Sequence, residues 1–389
     1  MRKLLPALLL AACSAPPDVG AAQEALGGSH SIISTTVTHP LPSLTRTETV
    51  VQDGAASTDR FTMTRVRGAG CSKGSILLLP GQQANFELYE VDTSGDYSQG
   101  LVGYLATRGY DVWGYSPRSK GTAYPACASD NCPFMSNWGL ATIVSDAAYI
   151  RSQIVAATGE KPVVGGWSLG AMSTIAVINS APHDYSGALI WEGLLYSTDP
   201  NVLAADAAMC GAVQEELSAG VYAADAGLFA LKSVLAYPPA IADPILISAV
   251  TTPFQSPPAS VPGYTYLAGT PDGTALAYSS LDQLTLALTT SFNDYEAVRV
   301  SVDVYCSQAG DRTFTNQLGS VKKPLMVIRT GHGFGPFMDD NLNLIGTPSR
   351  KRTTVSHPEF AHGDNYAAVN HVAVLQEPVR QWLDGIFDE

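Results

Sequence analysis

The chain has 389 residues, of which 46% are hydrophobic and 15% are charged, and its formal net charge at pH 7 is −13. This acidic balance argues against nucleic acid as a partner and against electrostatic attachment to anionic lipid. Beyond the N-terminal residues, roughly 350 residues remain, which is enough for one large domain with an insertion or for two domains. None of their segments is apolar and long enough to cross a membrane.

The N-terminus carries the pattern of an export signal. A short basic start, Met1-Arg2-Lys3, precedes an apolar run over residues 4–10. The run is too short to span a bilayer, and the two features together predict a signal peptide over residues 1–12. Leu10-Ala11-Ala12-Cys13 resembles the lipobox of bacterial lipoproteins. The resemblance implies that Cys13 becomes the mature N-terminus, carries the acyl chains and anchors the protein to a membrane.

Ser14 follows Cys13, and in the lipoprotein family a residue other than Asp at this position favours sorting to the outer membrane. The alternative is an ordinary secretory signal cleaved near Ala12 or Ala22, which would release the protein into the periplasm or the medium. Both interpretations predict export. Residues 13–30, rich in Ala, Pro and Gly, are predicted to form a flexible tether.

The rest of the chain shows strands first and then strands that alternate with helices. β-Branched alternation predicts three antiparallel strands that open a sheet, at residues 31–38, 46–52 and 61–67. Further strands are predicted at residues 76–79, 110–115, 161–165, 187–191, 323–328 and 351–356. Helices are predicted at residues 98–108, 139–158, 171–179 and 365–387. Repeated strand–helix units predict a mainly parallel sheet that is covered on both faces.

This alternation breaks between residues 193 and 321. Two Ala-rich stretches, at residues 202–220 and 223–235, predict helices, and a Pro- and Ser-rich passage follows at residues 237–263. A helical pattern returns at residues 281–290. The whole segment therefore stands apart from the strand–helix units as an insertion.

The pentapeptide Gly166-Trp167-Ser168-Leu169-Gly170 lies between a predicted strand and a predicted helix. Strand, sharp turn and helix is the context in which a G-x-S-x-G motif holds its serine in a strained conformation, and the glycines let the backbone fold back on itself. The serine hydroxyl then projects above the sheet, and the helix points its N-terminal amides at the reaction centre. The motif in this context predicts a nucleophilic serine.

Four segments together are similar, in the right order, to landmarks of the α/β-hydrolases. They are the run Leu77-Leu78-Leu79-Pro80-Gly81-Gln82, the run Arg108-Gly109-Tyr110-Asp111-Val112-Trp113, the serine pentapeptide and the run Phe360-Ala361-His362-Gly363-Asp364. The match covers residues 61–191 and 323–382. It implies an α/β-hydrolase fold with a core formed by residues 31–192 and 322–389. Residues 193–321 would then be a lid or cap over the serine, the alternative being an insertion that only lengthens the domain.

The resemblance implies that Ser168 is the nucleophile and His362 its general base. His362 follows the last predicted strand and precedes the terminal helix, and the chain order of serine before histidine also fits. The competing histidines are His332, His357 and His371. His371 falls inside the predicted terminal helix and His357 precedes a proline at a strand end, so both are interpreted as structural.

The oxyanion hole requires two amides directed at the developing negative charge. Leu169, immediately after the nucleophile, supplies one of them. The second is expected from Gln82, in the loop after the strand at residues 76–79, where Gly81 permits a tight turn. Pro80 stands where the usual family loop has a histidine, so this loop departs from the family pattern.

The triad acid has two candidate positions. Glu192 falls directly at the end of the strand at residues 187–191, where some α/β-hydrolases place their acid, and it is the favoured candidate. Many family members instead carry an Asp shortly after the strand at residues 323–328. This chain has Thr330-Gly331-His332-Gly333 there, and its next carboxylates are Asp339 and Asp340.

These features predict a serine hydrolase that cleaves small-molecule or lipid esters through an acyl-enzyme, without a metal or an organic cofactor. A peptidase or amidase and an acyltransferase of the same fold remain alternatives, because fold and triad do not name the substrate. A further alternative is an exported binding protein without activity. A haloalkane dehalogenase would need an aspartate where Ser168 stands, so that chemistry is disfavoured.

Five cysteines follow Cys13, and disulfides are expected in an oxidising compartment. Cys127 and Cys132 are the natural local pair. Cys210 and Cys306 would staple the insertion, which leaves Cys71 over. The cysteine spacings do not match common zinc sites, and no metal site is predicted.

Overall fold

The structure is a computed structural model that describes residues 30–122, 126–127, 132–225, 227–252, 267–270 and 275–388. The predicted signal peptide at residues 1–12, the lipidation site Cys13 and nearly all of the predicted tether at residues 13–30 lie outside these ranges. Among the helices within them, none is both long enough and apolar enough to cross a membrane.

The strands follow in chain order as β1 (His30–Thr38), β2 (Leu44–Asp53), β3 (Arg60–Gly68), β4 (Ser75–Leu79), β5 (Asp111–Ser116), β6 (Val163–Trp167), β7 (Gly187–Trp191), β8 (Ala223–Ala224), β9 (Glu296–Ala297), β10 (Leu325–His332) and β11 (Arg352–Ala361). Within the described residues, the central sheet has nine strands in the order β1-β2-β3-β5-β4-β6-β7-β10-β11. In this order, the pairs β1–β2, β2–β3 and β3–β5 are antiparallel. All the following pairs, from β5–β4 to β10–β11, are parallel. The prediction of a mainly parallel sheet opened by antiparallel strands is confirmed.

The α-helices are α1 (Leu101–Ala106), α2 (Leu140–Thr158), α3 (Leu169–Ser180), α4 (Pro200–Ser218), α5 (Leu228–Val234), α6 (Pro239–Thr251), α7 (Leu281–Ser291), α8 (Val298–Gln308), α9 (Met338–Leu344), α10 (Asp364–Ala367) and α11 (Glu377–Phe387). Successive side chains of β4 point to opposite faces of the sheet, as the strand period of two requires. Leu77 packs into the cluster that includes Ile150 of α2, whereas Leu78 packs into the cluster that includes Leu383 of α11. Helices therefore cover both faces of the sheet.

The β7–β10 segment, residues 192–324, contains α4 to α8 and the small β8–β9 pair. The helix predicted at residues 202–220 is confirmed as α4, which begins after Asp199, whose side chain accepts from the Asn201 amide at 2.8 Å. The helix predicted at residues 223–235 is shorter, because β8 precedes α5. The Pro- and Ser-rich passage contains α6, whose Pro239 stands at the first helical position, where proline is tolerated. The sequence analysis did not predict α8.

Other element boundaries also differ from the prediction, among them that of β10, which extends beyond residue 328 to His332. The helix predicted at residues 98–108 is a short 3-10 helix, Tyr97–Gln99, followed by α1. The last strand extends beyond residue 356 to Ala361, so His357 lies within β11 rather than at its end. The terminal helix is interrupted: α10 is separated from α11 by a π-helical turn, Val372–Gln376. The Val374 carbonyl in that turn lies 3.0 Å from His357 Nε2, a contact that accompanies the local change of helix type.

Two disulfides lie within the described residues, Cys127–Cys132 and Cys210–Cys306. Both predicted pairs are confirmed. Cys71 carries no free thiol, so the expectation that it is left over is wrong. The second bond joins α4 to α8 and so links two helices of the β7–β10 segment across 96 positions of sequence.

Candidate active site

The turn at Ser168 has the strained geometry that its sequence context predicts. Ser168 has φ 60° and ψ −121°, a conformation that a residue with a side chain rarely adopts. A Cβ on Gly166 or on Gly170 would overlap the Leu79 carbonyl oxygen, which explains a glycine on each side of the turn. The Ser168 amide donates to the Trp191 carbonyl at 2.9 Å, so the neighbouring strand holds the turn in place.

Three loops meet at the carboxyl edge of the parallel strands, where β4, β6 and β7 end side by side. Gln82 follows β4, Ser168 follows β6 and Glu192 follows β7. The loop after β4 lies directly against the serine turn, because a Cβ on Gly81 would come within 2.6 Å of the Trp167 ring and 3.5 Å of Ser168 Cβ. The sequence-predicted Gln82, Ser168 and Glu192 therefore share one edge of the sheet.

Tyr89 ties two of these strand ends together. Its hydroxyl donates to the Leu79 carbonyl at 2.7 Å and accepts from the Trp167 amide at 2.9 Å. Burial raises the pKa of the phenol well above its ordinary value, so the hydroxyl keeps its proton. The sequence analysis did not single out this residue, and a tyrosine inside a short 3-10 helix carries no signal of its own.

His362 reaches the same edge from the loop after β11, and its Nδ1 lies 3.2 Å from Oε2 of Glu192. Two backbone amides also donate to the Glu192 carboxylate, Thr330 N to Oε1 at 2.6 Å and Phe334 N to Oε2 at 2.8 Å. Glu192 has φ 58° and is fully buried. These two amides and the imidazole replace the hydrogen bonds to water that the carboxylate loses on burial.

Aromatic side chains hold the His362 ring on two sides. The Trp167 ring stacks on it with centroids 4.7 Å apart, and the Phe334 ring meets it edge to face at 5.0 Å. Trp167 Nε1 also donates to the His362 carbonyl at 2.9 Å. Because Trp167 directly precedes Ser168, these contacts fix the histidine beside the serine turn.

The alternative acids are engaged elsewhere. Asp339 accepts from Arg329 at 2.7 Å, and its side chain is 64% exposed. Asp340 accepts from the Thr198 amide at 2.6 Å and from its hydroxyl at 2.7 Å. The structure therefore brings Glu192, rather than either aspartate, to the histidine.

The end of β10 and the loop after it have a role that the sequence analysis missed. They lack a carboxylate, but the amides of Thr330 in β10 and Phe334 in the loop bind the Glu192 carboxylate, which follows the neighbouring strand β7. A Cβ on Gly333 would overlap Glu192 Oε2 and Thr330 Oγ1, so a glycine is required at this position. The signal was the glycine-rich run between the two donors, since glycine at position 333 leaves room for the carboxylate beside the Thr330 and Phe334 amides.

A cavity of about 80 Å³ adjoins the serine. On the sheet side it is lined by Gln82, Ser168 and Leu169, and α8 forms the opposite wall with Val300, Val304 and Tyr305. Both predicted oxyanion-hole residues thus line a cavity together with the predicted nucleophile. The Leu169 amide belongs to the first turn of α3, where helix N–H groups have no partner within the helix.

A larger cavity, of about 470 Å³, lies at the opposite edge of the sheet. Gly74 and Asp111, where β4 and β5 begin, line it. Ligands of open α/β sheets bind outside the carboxyl ends of the strands. The smaller cavity at Ser168 is therefore the better candidate for substrate binding.

Within the described residues, one group of side chains has the proximity of a metal site: His30, Asp53 and Asp146, whose ligand atoms lie within 4.8 Å of one another. Arg118 already supplies a positive charge there, since it donates to Asp53 at 2.8 Å and to Asp146 at 2.6 Å. Burial raises the pKa of Asp146 to about 6, with Arg118 acting in the opposite direction. The group is best described as a buried ion-pair network.

No protein-family model matches the sequence, and the search of curated proteins found no relative. Solved structures do resemble it. A candidate lipase from Sulfolobus solfataricus is 16% identical with a TM-score of 0.63, over 91% of this chain and 99% of that one. A thermostable carboxyl esterase from Bacillus coagulans is 12% identical with a TM-score of 0.54, over 92% and 99%. A lipase solved in an open form is 12% identical with a TM-score of 0.51, over 92% and 100%. At these identities the likeness establishes the fold, which is that of the α/β-hydrolases.

Proposed function

We propose that the protein is a serine hydrolase that cleaves carboxylic esters through an acyl-enzyme on Ser168. The observation that supports this most directly is the contact between His362 Nδ1 and Glu192 Oε2, in a loop cluster that also holds the strained serine turn. A hydroxyl becomes a useful nucleophile only when a base removes its proton. The arrangement supplies a base and an anion that orients it.

In the proposed reaction, His362 Nε2 takes the proton of Ser168 as the hydroxyl oxygen attacks the ester carbonyl carbon. The carbonyl oxygen becomes an oxyanion, and the amides of Leu169 and Gln82 donate to it. Each such donor lowers the barrier by roughly 3 kcal/mol. Collapse of this intermediate breaks the bond to the alcohol oxygen, which takes the proton from His362. Water then repeats the sequence on the acyl-enzyme and releases the carboxylic acid.

Glu192 serves this cycle by accepting the Nδ1 proton of His362, which places the lone pair of the imidazole on Nε2, the nitrogen that acts as the base. It also stabilises the imidazolium that forms once the serine proton has moved. The amides of Thr330 and Phe334 hold the carboxylate in place.

The choice of esters over other acyl substrates draws on the resembling proteins. The three structures named above are described as lipases or as a carboxyl esterase. Ester cleavage also requires nothing beyond the triad and the oxyanion hole. The same site with a different leaving group or acceptor would be a peptidase, an amidase or an acyltransferase.

The experiment is hydrolysis of 4-nitrophenyl esters, from acetate to palmitate, by the wild type, Ser168→Ala and the control Ser180→Ala. Ser180 is the last residue of the same helix, α3, and its hydroxyl donates to the Val177 carbonyl within that helix at 2.9 Å. We expect turnover that vanishes in Ser168→Ala and persists in Ser180→Ala. Equal and negligible rates in all three proteins would contradict ester hydrolysis, and a fluorophosphonate probe would then test for a reactive serine.

We further propose that residues 1–12 are a signal peptide, that Cys13 carries a lipid anchor in the outer membrane, and that residues 193–321 form a cap on a core made of residues 31–192 and 322–389. The disulfides Cys127–Cys132 and Cys210–Cys306 support an oxidising compartment. Labelling with a radioactive fatty acid should mark the wild type and not Cys13→Ser. Recovery of Cys13 in a disulfide-linked peptide, or as part of an unlabelled protein, would contradict the anchor.

A further inference from the structure

The cavity at Ser168 is small for a ligand site. Its volume is about 80 Å³, whereas pockets for drug-sized ligands span roughly 300–1,000 Å³. An engineered cavity of about 150 Å³ in another protein accepts benzene, a molecule of six heavy atoms. By that comparison, the cavity at Ser168 accommodates a group of about three heavy atoms beyond the reacting carbon.

Helix α8 forms the wall that limits this cavity, and contacts on several sides hold the helix in place. Asp303 accepts from the Leu140 amide at 2.8 Å, at the start of α2 in the core. Gln308 donates from Nε2 to the Leu194 carbonyl at 3.0 Å. Cys306 is bonded to Cys210 of α4. With these anchors, α8 is a fixed wall rather than a flap that swings away from the serine.

The valines of α8 divide between its two sides. Val300 and Val304 line the cavity. Val302 lies between them in sequence but packs with Val213 and Val298 in a separate cluster. All three of Val300, Val302 and Val304 are less than a tenth exposed, so the two sides are equally buried and differ in what they face.

The chemistry decides which part of the ester enters the cavity. The alcohol oxygen must lie at His362 to receive its proton, and His362 is not among the residues that line the cavity. The carbonyl oxygen is taken by the amides of Gln82 and Leu169. The acyl chain is the remaining substituent of the reacting carbon, and it points toward α8.

We propose that the cavity between Ser168 and α8 is an acyl pocket for chains of two or three carbons beyond the carbonyl carbon, and that Val300 and Val304 set its depth. The inference rests on the proposed function and narrows it to esters of short-chain acids. In a pocket of this kind, each methylene too many or too few changes the specificity constant by about 10- to 200-fold.

The test is kcat/KM for 4-nitrophenyl acetate, propionate, butyrate, hexanoate and octanoate, with the wild type, Val300→Ala, Val304→Ala and the control Val302→Ala. We expect the wild type to prefer propionate or butyrate, with kcat/KM lower by at least about tenfold for hexanoate. Val300→Ala and Val304→Ala should raise the hexanoate-to-acetate ratio about tenfold, because each removes two methyl groups from the wall. Val302→Ala should keep the wild-type ratio.

A second measurement needs no turnover. Intact mass measures the rates at which a hexylphosphonate ester and an ethylphosphonate ester label Ser168. The ratio of the hexyl rate to the ethyl rate should be higher in Val300→Ala and Val304→Ala than in the wild type and Val302→Ala. A wild-type optimum at hexanoate or longer would overturn the inference while leaving ester hydrolysis intact. Equal ratios for Val304→Ala and Val302→Ala would also overturn it. A wild type that shows neither turnover nor labelling dependent on Ser168 would overturn both this inference and the proposed function.

Discussion

Nδ1 of His362 lies 3.2 Å from Oε2 of Glu192, with side chains that are only 3% and 0% exposed. The two residues stand on loops after different strands, β11 and β7, with β10 between those strands in the sheet. The end of β10 donates the Thr330 amide to the carboxylate, and the loop after β10 donates the Phe334 amide. Three neighbouring strand ends thus cooperate in one buried charge network.

Replacing the glutamate should separate the two candidate acids. Glu192→Gln keeps the shape of the side chain but removes its charge, so it no longer stabilises the imidazolium and favours the wrong histidine tautomer. We expect kcat for 4-nitrophenyl acetate to fall by about 10³- to 10⁴-fold. Asp340→Asn is the matched control and should retain most turnover. The reverse pattern would assign the acid to the other loop.

Gly333→Ala should damage the site without a change in any reacting group. The added methyl would overlap Glu192 Oε2 and Thr330 Oγ1, so the carboxylate must move away from His362. We expect a loss of kcat of at least about tenfold, because a displacement of 1 Å costs up to about 100-fold. The measurement is kcat together with the thermal midpoint.

Gly211→Ala is the control for that substitution. Gly211 lies inside α4, and a Cβ there would meet no atom within 4 Å. This variant should keep wild-type activity and gain about 0.5–1 kcal/mol of stability from the higher helix propensity of alanine. Equal activity losses in both variants would contradict a specific role for Gly333.

Glu296 should make stability depend on pH. It lies in β9, its Oε2 accepts from the Gln83 amide at 2.7 Å, and burial raises its pKa from 4.5 to about 7. The unfolded chain loses this proton near pH 4.5, whereas the folded protein keeps it until about pH 7. The free energy of unfolding therefore falls as the pH rises through this window and is constant above it.

The variant Glu296→Gln removes that titration. We take the free energy of unfolding of the wild type minus that of Glu296→Gln. This difference should fall by about 2 kcal/mol when the pH is raised from 5 to 8. Urea unfolding at the two pH values measures it, and the other titrating groups cancel in the difference. A difference that does not change with pH would show that Glu296 titrates at its ordinary pKa.

The two disulfides should differ in what they contribute to stability. The Cys210–Cys306 bond closes a loop of 96 positions and the Cys127–Cys132 bond one of 5. In the chain-entropy model, removal of the longer link by a double Cys→Ser change costs about 2.5 kcal/mol more than removal of the shorter one. Urea unfolding of the two double variants checks this. Equal losses would indicate that native packing, rather than loop closure, dominates.

The sequence predicts the positions of the central strands along the chain well, because each buried strand is a short apolar run between breakers, such as residues 76–79. It also predicts the serine turn, since only glycine fits at Gly166 and Gly170, and the strand end that carries Glu192. These are local features, and local sequence determines them.

Other features depend on contacts between distant residues. Helix α8 carries Val300, Val302 and Val304 at a spacing of two, which reads as a strand, yet tertiary packing on α2 and α4 makes it helical. The π-helical turn that interrupts the terminal helix contacts His357 of β11, which is distant in sequence. The amides of Thr330 and Phe334 that bind Glu192 could be recognised only with knowledge of which strand lies next to β10.

The Tyr89 hydroxyl continues the β4–β6 ladder beyond its last pair, Leu79 with Gly166. Gln82 and Leu169, the residues assigned to the oxyanion hole, lie just past these two strand ends. One phenol therefore helps to fix the distance between the two strand ends that precede these residues. A substitution at Tyr89 would therefore change the distance between the amides of Gln82 and Leu169 without replacing either of those residues.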